Sequence, residues 1–160
     1  MRTNVTGVQN ITKYTAYGDD LDADDALFNI YADARLALFG DDVFSASTVA
    51  LQGQLRNRGT LAVSDLTLKD SVVLVNAGEL TQTGNVSLGA GDDDAVVVRN
   101  LPGALWKIVG SAEIQQAGDN SRFVNLGSFE QTGADDQITV AANFKSFGSI
   151  QAEGGIIFQG

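Results

Sequence analysis

The 160-residue sequence predicts an all-β fold: a single-stranded parallel β-helix, or β-solenoid, with coils of 19–25 residues. Three observations carry that prediction. From Gln54 onward the chain lines up against itself, with units opening "RNRGTLAVSD", "VNAGELTQTG", "RNLPGALWKIVG", "VNLGSFEQTG" and "KSFGSIQAEG". Within each unit, apolar residues recur with the period of two that belongs to strands. The composition holds 18 Gly and one Pro, which favours many tight turns over a flexible linker.

Residues 1–50 are read as irregular N-terminal coils or a cap, and residues 51–160 as solenoid coils, in one continuous domain. In the first part "ALFNI" (Ala26–Ile30) has strand character. "ADARLALF" (Ala32–Phe39) is rich in helix formers, so a short helix covering the first open edge is an alternative there.

In the second part a shared Gly falls at Gly59, Gly78, Gly103, Gly127 and Gly148, with spacings of 19, 25, 24 and 21 residues. An Asn stands just before it at Asn57, Asn76, Asn100 and Asn125, and Ser146 takes that place in the last unit. Stacking the units puts these Asn residues above one another at a corner, where their amides can bond along the axis as a ladder. The Gly is expected to adopt a turn conformation that a Cβ would resist. After it come a first strand (Leu61 and Val63, Leu80 and Gln82, Phe129 and Gln131), a second ("LTL", "VSL", "ITV", "IIF") and a third leading into the next Asn. The ending "GGIIFQG" stops within a strand pattern. Either the chain is a cut fragment, or Ile156, Ile157 and Phe158 form an assembly edge through which it self-associates.

Twenty acidic and ten basic residues give a net charge of −10, which argues against nucleic acid and anionic membrane as partners. No apolar run is long enough for a membrane span, and the first residues lack the apolar core of a signal peptide. No Cys is present, which removes disulfides and thiolate metal sites. The absence of His removes most triad and acid–base schemes, and the Asp pairs fall at turns, so no enzyme activity is expected.

Acidic turns supply the candidate metal ligands. Asp92, Asp93 and Asp94 in "GAGDDDA" come first, then Asp135 and Asp136 in "GADDQ". Carboxylates and carbonyls in a Gly turn are hard-oxygen donors suited to calcium, whereas Asp after Gly is also ordinary turn chemistry. "GAGDDDAVV" resembles one copy of the calcium nonapeptide of toxin-type solenoids, with Leu88 where the first Gly belongs and no tandem copies. No cofactor is required, and calcium is the one candidate. Trp106, in the long insertion "LPGALWKIVG", is the candidate for surface binding, with packing against the coil as the alternative.

The unit VNxGxΦxxxG, at Val75–Gly84 and Val124–Gly133, with its following ΦxΦ, resembles the coils of bacterial surface β-helices. These are the haemagglutinin-type adhesins, autotransporter passengers and related exoproteins. The resemblance covers about Leu51 to Gly160 and implies a non-enzymatic structural role outside the cell or on its surface, as a segment of an adhesin or fibre. Alternatives are a self-assembling filament or virion-fibre subunit joined end to end, and a calcium-dependent binding module. No site residue carries over from the resemblance.

Overall fold

The computed structural model describes residues 1–159, which form 21 strands and no helix. β1 (Thr3–Ile11), β2 (Tyr14–Tyr17) and β3 (Leu21–Ile30) open the fold. Six coils of three strands follow. They are β4 (Arg35–Leu38), β5 (Asp41–Ser45) and β6 (Thr48–Leu51), then β7 (Gln54–Asn57), β8 (Thr60–Ser64) and β9 (Leu66–Leu68). Next come β10 (Val73–Asn76), β11 (Glu79–Gln82) and β12 (Val86–Leu88), then β13 (Val97–Asn100), β14 (Leu105–Val109) and β15 (Ile114–Gln116). The last two coils are β16 (Arg122–Asn125), β17 (Ser128–Thr132) and β18 (Gln137–Ala141), and β19 (Asn143–Ser146), β20 (Ser149–Ala152) and β21 (Gly155–Phe158). The whole is a β-solenoid of about 7 turns.

Parallel pairing of equivalent strands builds three faces. The first is the seven-stranded sheet β19-β16-β13-β10-β7-β4-β2. A 14-stranded sheet supplies the second and third. It does so because β3 bends: Asp22–Asp24 pair with β5, whereas Leu27–Ile30 pair with β6. The bend lies at Asp25, whose φ is 47°, and β1 follows it with Gly7 at φ 69°. Asp and Gly tolerate that left-handed backbone better than other residues.

The helix alternative for Ala32–Phe39 does not form, since Arg35–Leu38 is strand β4, paired with β2 and β7. Leu36 and Leu38 are completely buried, with Leu36 stacked on Leu55. As a strand, this segment sends both leucines into a core that continues in the next coil, and that packing overrides the helix propensity of Ala, Leu and Arg.

Inward residues stack in columns. On the first face Leu36, Leu55, Leu74, Val98, Phe123 and Phe144 lie in register, and on the second Leu61, Leu80, Trp106, Phe129 and Ile150. Aromatics gather toward the last coils: Phe123 lies edge-on to Trp106 at 4.8 Å and to Phe129 at 5.7 Å between centroids. Such pairs add to the burial of large rings.

Two expectations about the glycine column need correction. Gly59, Gly78, Gly127 and Gly148 do not take positive φ. They are required because the coil below comes too close: a Cβ on Gly78 would overlap the carbonyl oxygen of Gly59, and one on Gly148 that of Gly127. Gly103, in turn, is not in the column. Leu105 pairs with Glu79 and with Ser128, which puts Ala104 at the column position. Gly103 instead sits at φ 81° in a turn, Leu101-Pro102-Gly103-Ala104, closed by the Ala104 amide donating to the Leu101 carbonyl at 3.0 Å. Pro followed by a positive-φ Gly is type II turn chemistry, and it absorbs the extra residues of this coil at the corner.

Candidate functional site

The polar interior is built first from the ladder. Asn57, Asn76, Asn100 and Asn125 end successive strands of the first face and are completely buried. Each donates one amide hydrogen to the next rung: Asn57 to Asn76, Asn76 to Asn100 and Asn100 to Asn125, all at 2.8 Å, and Asn125 to Ser146 Oγ at 3.0 Å. Each donates its other hydrogen to a carbonyl at the start of the next coil's second strand, at Glu79, Leu105, Ser128 and Ser149 respectively. The first acceptor, Asn57 Oδ1, takes the Gly59 amide at 3.1 Å. Buried amides so paired avoid the penalty of unmet polar groups.

Two buried glutamines escaped the sequence reading. Gln82 Nε2 donates to the carbonyls of Gly84 (3.0 Å) and Glu113 (2.8 Å), and its Oε1 accepts from Trp106 Nε1 at 3.1 Å. Gln131 repeats the arrangement, donating to Gly133 O and accepting from the Gly154 amide at 2.9 Å. The signal was present in the repeated "QTG" at 82–84 and 131–133, and in the parity that sets Gln82 on the same side as Leu80. Trp106, the candidate surface binder, is fully buried and meets the ring of Phe123, so its place is the core.

The acidic turns lie on different corners. Asp92, Asp93 and Asp94 stand between β12 and β13, entering the first face, whereas Asp135 and Asp136 stand between β17 and β18. Asp94 Oδ2 accepts the amides of Ala90 (2.6 Å) and Gly91 (3.2 Å), and Asp92 and Asp93 are exposed. In the second turn the Asp136 amide donates to Gly133 O at 3.0 Å, and Gly133 takes φ 122°. Among the described residues no three His, Cys, Asp or Glu converge in a way that could hold a metal ion.

Asp42 was not singled out from the sequence and is the most unusual carboxylate. It is 1% exposed, in register with Leu61. Its Oδ1 accepts the Leu21 amide at 2.9 Å, and its Oδ2 is buried without a partner. Burial, reinforced by Asp20 and Asp41 against the Leu21 hydrogen bond, raises its pKa from 3.8 to about 6.

At the far end β19, β20 and β21 each pair on one side only among the described residues. Ile156 packs against the core, and Ile157 and Phe158 are exposed. Among the described residues, no helix is long and apolar enough to cross a membrane. No family model, no curated protein and no solved structure matches the chain.

Proposed function

We propose that the chain is a non-enzymatic structural element, a stiff segment of an extracellular or cell-surface adhesin or fibre. One observation carries this reading. The Asn ladder links the five coils from β7 to β21, and parallel pairing carries each coil onto the next along the whole chain, so each turn is hydrogen-bonded and packed against its neighbours. A body built this way resists bending and presents a repeated outer surface. Its carboxylates favour the reading further, since they lie mostly at corners and serve turn backbone, as Asp94 does for Ala90 and Asp70 for Leu51.

A second reading rests on the unpaired edges of β19–β21, beside which Phe147, Ile150 and Phe158 are exposed. In it, a coil of another copy adds to that edge and the chains join end to end. Negative-stain microscopy at rising concentration, in EDTA and in calcium, tests both. Regular fibres in EDTA support end-to-end assembly and remove the passive-segment reading. Monodisperse rods in both buffers support the segment and remove the filament. Order that appears only with calcium assigns the Asp92–Asp94 turn, or the Asp135–Asp136 turn, to ion binding.

A further inference from the structure

Five of the ten basic residues of this acidic chain lie on the strands of one face. Arg35, Arg56, Arg99, Arg122 and Lys145 lie on strands of the first face, whose seven strands carry no Asp or Glu. The chain as a whole has 20 acidic residues against ten basic ones, so this segregation is not a matter of composition. Strand parity points these side chains outward, opposite Leu36, Leu55, Val98, Phe123 and Phe144.

Register makes rows of them. Arg56, Val75, Arg99, Val124 and Lys145 stand in one column, so the cations occur in alternate coils. At about 4.8 Å per coil they are roughly 10 Å apart along the axis. Tyr14, Arg35 and Gln54 begin the neighbouring column, and Arg122 lies further along it.

None of these cations has a carboxylate partner. The ion pairs among the described residues are the Met1 amine with Asp19 and Arg2 with Asp22, both away from this face. Lys145 lies over the ring of Phe147, and Arg58, just after β7, over that of Phe39. Arg56 Nε is buried without a hydrogen-bond partner. Burial, and then the like charges of Arg58 and Arg35, push its pKa down. A cluster of uncompensated cations on an apolar floor of Val73, Val97 and Val124 is a surface prepared for anions.

We propose that the first face binds a linear, uronate-bearing acidic polysaccharide, one chain lying along the solenoid axis over Arg56, Arg99 and Lys145. The guanidinium fork matches a carboxylate in bidentate fashion, and Tyr14, 58% exposed at the start of the neighbouring row, offers a ring on which a sugar can stack. The width of the face selects the occupant. Its strands span four residues, about 13 Å. An acidic ridge at Asp33, Asp70, Asp92–Asp94 and Asp119 borders one side, at the turns that enter the face. A single polysaccharide chain fits between ridge and opposite corner, whereas a nucleic-acid duplex would lay phosphates on the ridge. Single-stranded nucleic acid requires a succession of exposed rings, and Tyr14 is the one outward aromatic on these strands. The proposal goes beyond the structural role and holds whether or not the chains assemble.

Calorimetric titration of the full chain with oligogalacturonate, at low and raised salt, tests it. The wild type should bind, more weakly as salt rises, and neutral dextran should give no signal. The combined R56Q/R99Q/R122Q variant should bind about tenfold or more weakly, with its thermal midpoint kept because the changes are outward. Lys107→Gln, on the second face, should bind as the wild type does. Val124→Glu, which sets a carboxylate within the row, should weaken binding as the arginine changes do. Absence of binding at low salt overturns the proposal, as does equal affinity of the triple variant. Tighter binding of oligothymidylate or of duplex DNA than of oligogalacturonate overturns it in favour of a nucleic-acid partner.

Discussion

Asn76 donates one amide hydrogen to Oδ1 of Asn100 and the other to the carbonyl of Leu105, both at 2.8 Å. Every rung of the ladder uses the same two bonds, so removing one rung strands groups on both neighbours. Asn100→Ala leaves a donor of Asn76 and the acceptor of Asn125 unmet inside the core. The expected loss is about 2–4 kcal/mol, read as a lower urea midpoint with unchanged slope. An equal midpoint for the variant would mean that the ladder contributes no stability.

Close stacking, rather than turn strain, dictates Gly78. Gly78→Ala drives a Cβ into the Gly59 carbonyl and must separate two coils, which should cost about 3 kcal/mol or more. Gly91 is the matched control, because a Cβ there meets nothing within 4 Å. Gly91→Ala should leave stability within about 0.5 kcal/mol. Comparing the two thermal midpoints separates a steric column from a general preference for Gly at corners.

Asp42 gives the fold a pH dependence of its own. Its pKa is near 6 in the folded chain and near 3.8 when unfolded, so the native state holds its proton more tightly. Protonation therefore favours the fold, and this contribution is fully present below about pH 3.8. It is lost as pH rises to 6 and beyond, to a limit of about 3 kcal/mol. Asp42→Asn keeps an acceptor for the Leu21 amide and removes the titration. Urea midpoints from pH 4 to pH 8 should show a smaller decline in the variant than in the wild type, and parallel declines would assign the effect elsewhere.

Trp106 reports on the interior. Its ring should resist acrylamide quenching in the native chain and become accessible on unfolding, and sugars should leave its emission unchanged. Trp106→Phe keeps the aromatic packing on Phe123 but removes the donor to Gln82 Oε1, costing about 1–3 kcal/mol. Ready quenching in the native state would contradict the buried placement.

The coil repeat was legible because stacking imposes it: most inward positions are apolar, and Asn57, Asn76, Asn100 and Asn125 complement one another by type and spacing. Gly103 was misplaced because two Gly roles look alike in sequence. One Gly avoids a neighbouring coil and another permits a positive φ, and only the pairing of Leu105 with Glu79 separates them. β4 was obscured because helix formers such as Ala and Leu also serve a strand whose last three residues are covered. The basic face stayed hidden by the net charge, since a total of −10 conceals how Arg56 and Arg99 line up once coils are stacked. Asp42 carried no signal among so many acidic residues, because only its parity with Leu61 marks it as inward.

The ladder also has mechanical meaning. Its rungs all donate in one direction, and the last acceptor, Ser146, turns its own hydroxyl back to Gly148 O at 3.3 Å in the same coil. Tension on the last coil therefore loads one row of bonds at a time, as in opening a zip. The Asn125–Ser146 spacing corresponds to about 21 residues per turn, which would release roughly 70 Å of contour at each rupture. A chain pulled from that end in an optical trap should lengthen by a regular staircase rather than in a single collapse. Anchored in a fibre, it would act as a shock absorber that yields turn by turn.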